Sequence, residues 1–190
     1  MLELFGIISG IIAVYASVPY IIDIIKGNTK PQRAAWVIFV TLSAISFFAQ
    51  LAAGATNSLW LPFVLLVQAV IIFGLSFKYG MGGFSKFDIA SLIMAVIILI
   101  IWWATSSAAL AIICGVVVNT IGKVLVAEKV YKHPSTEYLP TWVWGVVASV
   151  FSVLAVGSLN WILILAPLQN AITVGMIAGL IVYRRKVLAK

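Results

Sequence analysis

Four carboxamides stand deep inside otherwise apolar runs of this chain. Gln68 lies about nine residues into one run, Gln169 and Asn170 about nine into another, and Asn119 about twelve into a third, or roughly 13 to 18 Å at ~1.5 Å per residue. An amide offers two donors and an acceptor, and leaving it unpaired against hydrocarbon is costly. These four must therefore face a protein interior, where two roles compete. One is bonding between helices, at roughly 0.6 to 2 kcal/mol apiece; the other is contact with a neutral, hydroxyl-rich or amide-bearing solute. Prolines inside apolar runs form a second set. Pro19 and Pro167 each free a backbone carbonyl and bend a helix, so both read as candidate hinges, with Tyr20 and Asp23 beside Pro19 as candidate gate residues.

Other chemistries find little support. The acids Glu3, Asp23, Asp88, Glu128 and Glu137 all fall near the ends of runs. Asp23 reads either as a proton carrier in a gate or as the ion-pair partner of Lys26 or Lys132. Lys123 reads as a snorkelling side chain, paired with Glu128 or Asp23, in preference to an anionic-substrate site. Asp88, after "FSK", suits the positive N-terminal end of a helix. His133 has no neighbour at ligand spacing and Cys114 is the single cysteine. No nucleophile triad, phosphate-cradling glycine loop or metal set is present, so neither an enzyme nor a cofactor nor a metal is expected.

These residues are set in an exceptionally apolar chain. Of 190 residues 64% are hydrophobic and 9% charged, with a mean hydropathy of +1.19, which leaves too little polar surface for a soluble domain. Seven candidate spans follow: Leu4 to Ile25, Arg33 to Gly54, Leu59 to Lys78, Asp88 to Ala104, Ser107 to Val130, Leu139 to Gly157, and Asn160 to Tyr183. Each suits a hydrocarbon core of ~30 Å. The boundary at Thr105 and Ser106 is the shortest. With seven spans all 12 basic residues fall on one side, which the positive-inside rule makes cytoplasmic. The N-terminus is then outside and the C-terminus inside, in what reads as a bacterial inner membrane. The net charge of +7 orients the chain in its lipid bilayer and gives no reason to expect a nucleic-acid partner.

The spans also repeat. Laying Trp142 over Trp36 puts Lys132 on Lys26 and Ser135 on Thr29; after a gap in the connector, Trp161 falls on Trp60 and Gln169 on Gln68. An odd span between two copies makes them parallel. On this register Gln68 and Gln169 face each other across the axis between copies.

The stretch "VPYIIDIIKGNTKPQRAAW" resembles the cytoplasmic loop of the SWEET, SemiSWEET and PQ-loop transporter superfamily. Pro19, Thr29 and Trp36 fill its proline, hydroxyl and aromatic slots. The match departs at Tyr20, where the family has glutamine, and at Leu125, where the second copy lacks its proline; the literal Pro31–Gln32 lies in the connector and reads as coincidence. The resemblance implies an all-α integral membrane fold, with seven transmembrane helices as two parallel three-helix bundles joined by a linker helix (3+1+3). Residues 1–80 would form the first repeat, 81–106 the linker and 107–190 the second. The resemblance does not itself specify the solute; taken with the buried amides, the expectation is alternating access for a small neutral polar solute such as a sugar, bound by Gln68, Gln169, Asn170 and Asn119. The absence of an acid at mid-depth points to facilitated diffusion. A non-transporting receptor or assembly module on the same fold is the alternative, and Lys123 and Asp23 are its only charged cavity candidates. Small residues such as Gly115, Gly122 and Gly179 suit close helix contacts within the chain or in an oligomer.

Overall fold

A computed structural model describes residues 2–52, 60–83, 85–105, 108–156 and 161–188. It is all-helical among these residues, with α1 Leu2–Ile25, α2 Arg33–Ala52, α3 Trp60–Tyr79, α4 Lys86–Thr105, α5 Ala108–Lys132, α6 Leu139–Ala155 and α7 Trp161–Leu188. A 3-10 turn, Pro134–Thr136, precedes α6. Each helix overlaps one expected span, and separate helices flank the short boundary at Thr105. The exception in length is α7, which runs past Tyr183 to Leu188, where Arg184 and Arg185 bond carbonyls at the end of α5 and in the connector that follows it. The connectors at 53–59, 106–107 and 157–160 and the side chains of Trp60, Trp102 and Trp161 lie outside the described residues.

Local chemistry explains the ends. Gly27, at φ 79°, closes α1 in the left-handed conformation that glycine adopts without strain; its N–H donates to Ile24 O at 2.9 Å and that of Asn28 to Asp23 O at 3.2 Å. Ser85 and Asp88 form a reciprocal box at the start of α4, with Asp88 N donating to Ser85 Oγ at 3.0 Å and Ser85 N to Asp88 Oδ2 at 3.1 Å. Pro140 occupies the first turn of α6, where no helical donor is lost.

Pro31 and Gln32, read from sequence as a coincidental match, are both buried. Gln32 Nε2 donates to Asp88 at 2.5 Å while its Oε1 accepts from Ala35 N at 2.7 Å, so it joins the start of α2 to the start of α4. Met81 pairs with this segment as a single parallel bridge, and Arg33 reaches Ser76 O and Gly82 O at the end of α3.

Packing follows a reciprocal pattern. α3 lies on α1 and α2, and α7 on α5 and α6; α1 packs on α6, and α2 on α5, while α4 lies mainly against α5. The helix starts follow it: Leu2 and Ala108, like Arg33 and Leu139, are 106 residues apart, and Trp60 and Trp161 are 101 apart. One core joins Ala34, Ala35 and Ile38 of α2 to Val118, Leu125 and Val126 of α5 and to Trp142 of α6; a second joins Tyr20 and Ile24 to Trp36, Ala69 and Ile72.

Much apolar surface stays outside these cores. On α1, Ile7, Ile11, Val14, Val18, Ile22 and Ile25 make one stripe, each 41 to 63% exposed. Two helices, α1 and the Ile164–Leu188 part of α7, are long and apolar enough to cross a membrane.

Candidate functional site

The densest polar cluster is at the basic end of the bundle, where the connectors after α1 and α5 meet. The 3-10 turn is set by Pro134 and by Thr136, whose N–H and hydroxyl both donate to His133 O, at 3.1 and 2.7 Å. The chain then extends through Glu137, which turns its carboxylate inward and is 2% exposed. Glu137 Oε1 pairs with Lys129; its Oε2 accepts from Trp142 Nε1 at 2.9 Å and from the Tyr20 hydroxyl at 3.4 Å. Lys129 Nζ also donates to Lys30 O at 2.6 Å and Thr136 O at 3.4 Å, and Lys30 N donates to Thr136 O at 2.9 Å. Arg185 bonds Glu137 O and Pro134 O from α7, and Arg184 bonds Tyr131 O at 2.9 Å. Side chains of α1, α5 and α6 therefore converge on one carboxylate, while α7 holds the backbone that carries it and the first connector is tied to Lys129 and Thr136. A buried pair holds charge only when its remaining donors and acceptors are met, and here they are.

Below this cluster, Lys123 Nζ lies 5.0 Å from the Phe39 ring centre and 5.1 Å from that of Trp142. Contacts of that kind contribute about 0.5 to 2 kcal/mol. Phe39 stacks edge-on against Trp36 at 5.4 Å, and Trp36 lies 6.1 Å from Tyr20, so an aromatic row leads from this cluster to the lysine. One turn further along α5, Asn119 Oδ1 is buried and has no hydrogen-bond partner.

The residues expected to bind solute do not all meet. Gln68 is half-buried on α3, which packs on α1 and α2, whereas Gln169 is on α7, which packs on α5 and α6; they are not brought face to face. Equivalent register did not make them neighbours, because α3 and α7 each sit behind the helices that touch across the middle. Gln169 Nε2 donates to Thr120 Oγ1 at 2.9 Å and Asn170 Nδ2 to Ser149 Oγ at 2.8 Å, so both amides are engaged with adjacent helices. Asn119 alone of the four has a buried acceptor without a bond.

Among the gate candidates, Tyr20 joins the polar cluster through Glu137. Pro19 lies within α1 beside a small cavity of about 70 Å³ lined by Tyr15, Tyr138 and Trp144, and Thr141 Oγ1 donates to Ala16 O at 2.8 Å three residues before it. Pro167 lies within α7, away from this cluster. Asp23 pairs with neither Lys26 nor Lys132. It accepts from Thr29 Oγ1 and from Asn28 Nδ2, the latter at 3.1 Å, and so fastens its own loop, while Lys132 pairs with Glu128 at 2.6 Å. Lys123 is paired with neither Glu128 nor Asp23; the aromatic slot holds it instead. Sequence reading missed Lys129 and Glu137 as a buried pair. Their signal was slight, since both sit where end-of-span charges are ordinary.

Compared with family models, curated proteins and solved structures, the chain matches none of them.

Proposed function

We propose that this chain is an integral membrane carrier that moves a small polar solute by alternating access, with α1–α3 and α5–α7 as parallel repeats and α4 as the linker. The observation that carries this reading is the reciprocal packing. Every helix contact within α1–α3 has its counterpart within α5–α7, and the two contacts between the sets, α1 with α6 and α2 with α5, exchange under the same operation. Such a quasi-two-fold along the helix axes suits rocking of one half against the other. Membrane insertion is supported by the exposed apolar stripe on α1, which water would not tolerate. The charge pattern makes the basic end cytoplasmic.

On this reading Tyr20, Lys129, Glu137 and Trp142 close the cytoplasmic end, and a transport cycle has to open them. The solute sits between the halves near Asn119 and Lys123, while Gln169 and Asn170 act as links between helices. The reason for preferring a neutral solute weakens accordingly, since two of its amides are occupied. Sugars remain in the test set.

Lys30 and Thr136 are bonded through their backbones, so cysteines placed there come within disulfide reach of ~4.4 to 6.8 Å between Cα atoms. In a Cys114→Ala background, the pair is oxidised in liposomes supplied with labelled sugars, amino acids, nucleosides or organic acids, with and without a proton gradient. Flux that stops on oxidation and returns on reduction supports the carrier; flux indifferent to the crosslink sinks this closure, and no flux for any solute favours the receptor or assembly module.

A further inference from the structure

We infer that Asn119 and Lys123 form a recognition site for a small hydroxy- or amino-carboxylate, with Lys123 holding the carboxylate and Asn119 accepting from the neighbouring hydroxyl or ammonium group. The inference deepens the carrier reading by naming its solute class, and its binding test stands apart from transport.

Three observations converge on it. First, the charges of the closure do not balance. The carboxylate of Glu137 is already bonded to Lys129, Tyr20 and Trp142 and makes no ion pair with Lys123. The surplus positive charge is thus on Lys123, between two rings and with no carboxylate at ion-pair distance among the described residues. A ligand carboxylate would satisfy it. Second, Asn119 Oδ1 is a buried acceptor with no donor in the protein. Buried polar atoms are almost always bonded, so an exception calls for a missing partner. Four residues apart on one helix, the two side chains share a face at about 5 to 6 Å between their Cβ atoms, a spacing that suits a carboxylate and a donor on a neighbouring carbon. Third, the arrangement is one-sided. At the corresponding 106-residue offset α1 carries Ala13 and Ser17, and Ser17 Oγ is turned back onto Ala13 O at 2.6 Å. The polar groups are therefore no general packing device of both halves.

The test is thermal unfolding of the purified full chain in detergent with gluconate, glucose, lactate or propionate, alongside liposome uptake of labelled gluconate and glucose. Gluconate is expected to raise the unfolding temperature where glucose does not, and lactate to exceed propionate, which lacks the hydroxyl. Lys123→Gln should remove the gluconate response and lower gluconate uptake about tenfold, the factor expected for one charged hydrogen bond. Lys123→Arg should retain the response, showing that charge and not folding is at stake. Asn119→Leu should abolish the preference for lactate over propionate and keep a response to both. Equal responses to gluconate and glucose, a gluconate response that survives in Lys123→Gln, or no response to either hydroxy acid overturns the site. Gluconate binding that requires Lys123 without flux in any variant upholds the site and removes the carrier reading; glucose flux unaffected by Lys123→Gln does the reverse.

Discussion

The two connectors at the basic end occupy corresponding places and do opposite things. After α1, Asp23 accepts from Asn28 and Thr29, so that loop is fastened to itself. The residue 106 positions later is Lys129, of opposite charge, and it reaches out of its own helix to Lys30 O in the first connector and to Glu137. If the halves rock as proposed, the Asp23 end acts as the frame, kept by bonds within its own loop, while the bonds that Lys129 and Thr136 make to Lys30 of the other connector act as the latch that has to break.

The sharpest way to break this contrast is Glu137→Gln. It leaves the Lys129 charge buried without a counter-ion, a change of about 3 to 5 kcal/mol, whereas Asp23→Ala on the frame side removes two partly exposed bonds and should cost about 1 to 2 kcal/mol. Reversible unfolding of the detergent-solubilised protein compares them. If Asp23→Ala is the more damaging, the latch is misplaced. Replacing Lys129 and Glu137 together by Met and Leu should recover most of the loss, since a buried pair exchanged for apolar groups is often neutral, and should leave the closure weaker in the crosslinking assay.

Gly122 offers a second comparison, between the two helix pairs that meet across the middle. A Cβ there would lie 2.6 Å from Phe39 Cε1, so α2 and α5 approach through a glycine. The corresponding pair on α1 and α6 is Ala16 with Gly145, neither of which carries a ring, and Ala16 lines the small cavity beside Pro19. Gly122→Ala should therefore destabilise by about 1 to 3 kcal/mol through overpacking and displace Phe39 from Lys123. The Ala16→Gly change, facing the cavity, should cost less than about 1 kcal/mol, near the ordinary glycine penalty in a helix. Paired unfolding measurements decide between them.

How far these features were legible in the chain follows from which interactions are local. The helices were legible because an apolar run of spanning length has few alternatives, and the place of Asp88 at the start of α4 because a helix end is set by adjacent residues. The Lys129–Glu137 pair was not. Each residue alone resembles a surface charge next to a connector, and only the convergence of Tyr20, Trp142 and the first connector buries them. Lys123 was noticed for its depth but assigned to acids near in sequence or charge, since nothing in the chain says that Phe39 and Trp142 arrive from α2 and α6. Gln68 and Gln169 show the same limit. Their equivalence is a property of the repeat, but which helices face the middle is a property of packing.

Those two glutamines give the smallest effect and the finest test of how different the halves are. Gln169 bonds Thr120 across to α5, while Gln68 has no hydrogen bond among the described residues. An interhelical amide bond in a membrane protein averages about 0.6 kcal/mol, so Gln169→Leu should lower stability by about that amount, and Thr120→Val should lower it equally. The double change should cost no more than either single one, because the same bond is removed once. Gln68→Leu should be neutral within about 0.5 kcal/mol, as for a substitution away from any buried network. If instead Gln68→Leu abolishes solute uptake while the folded fraction is unchanged, α3 lines the solute path, and the middle of the protein is more symmetric than its closure.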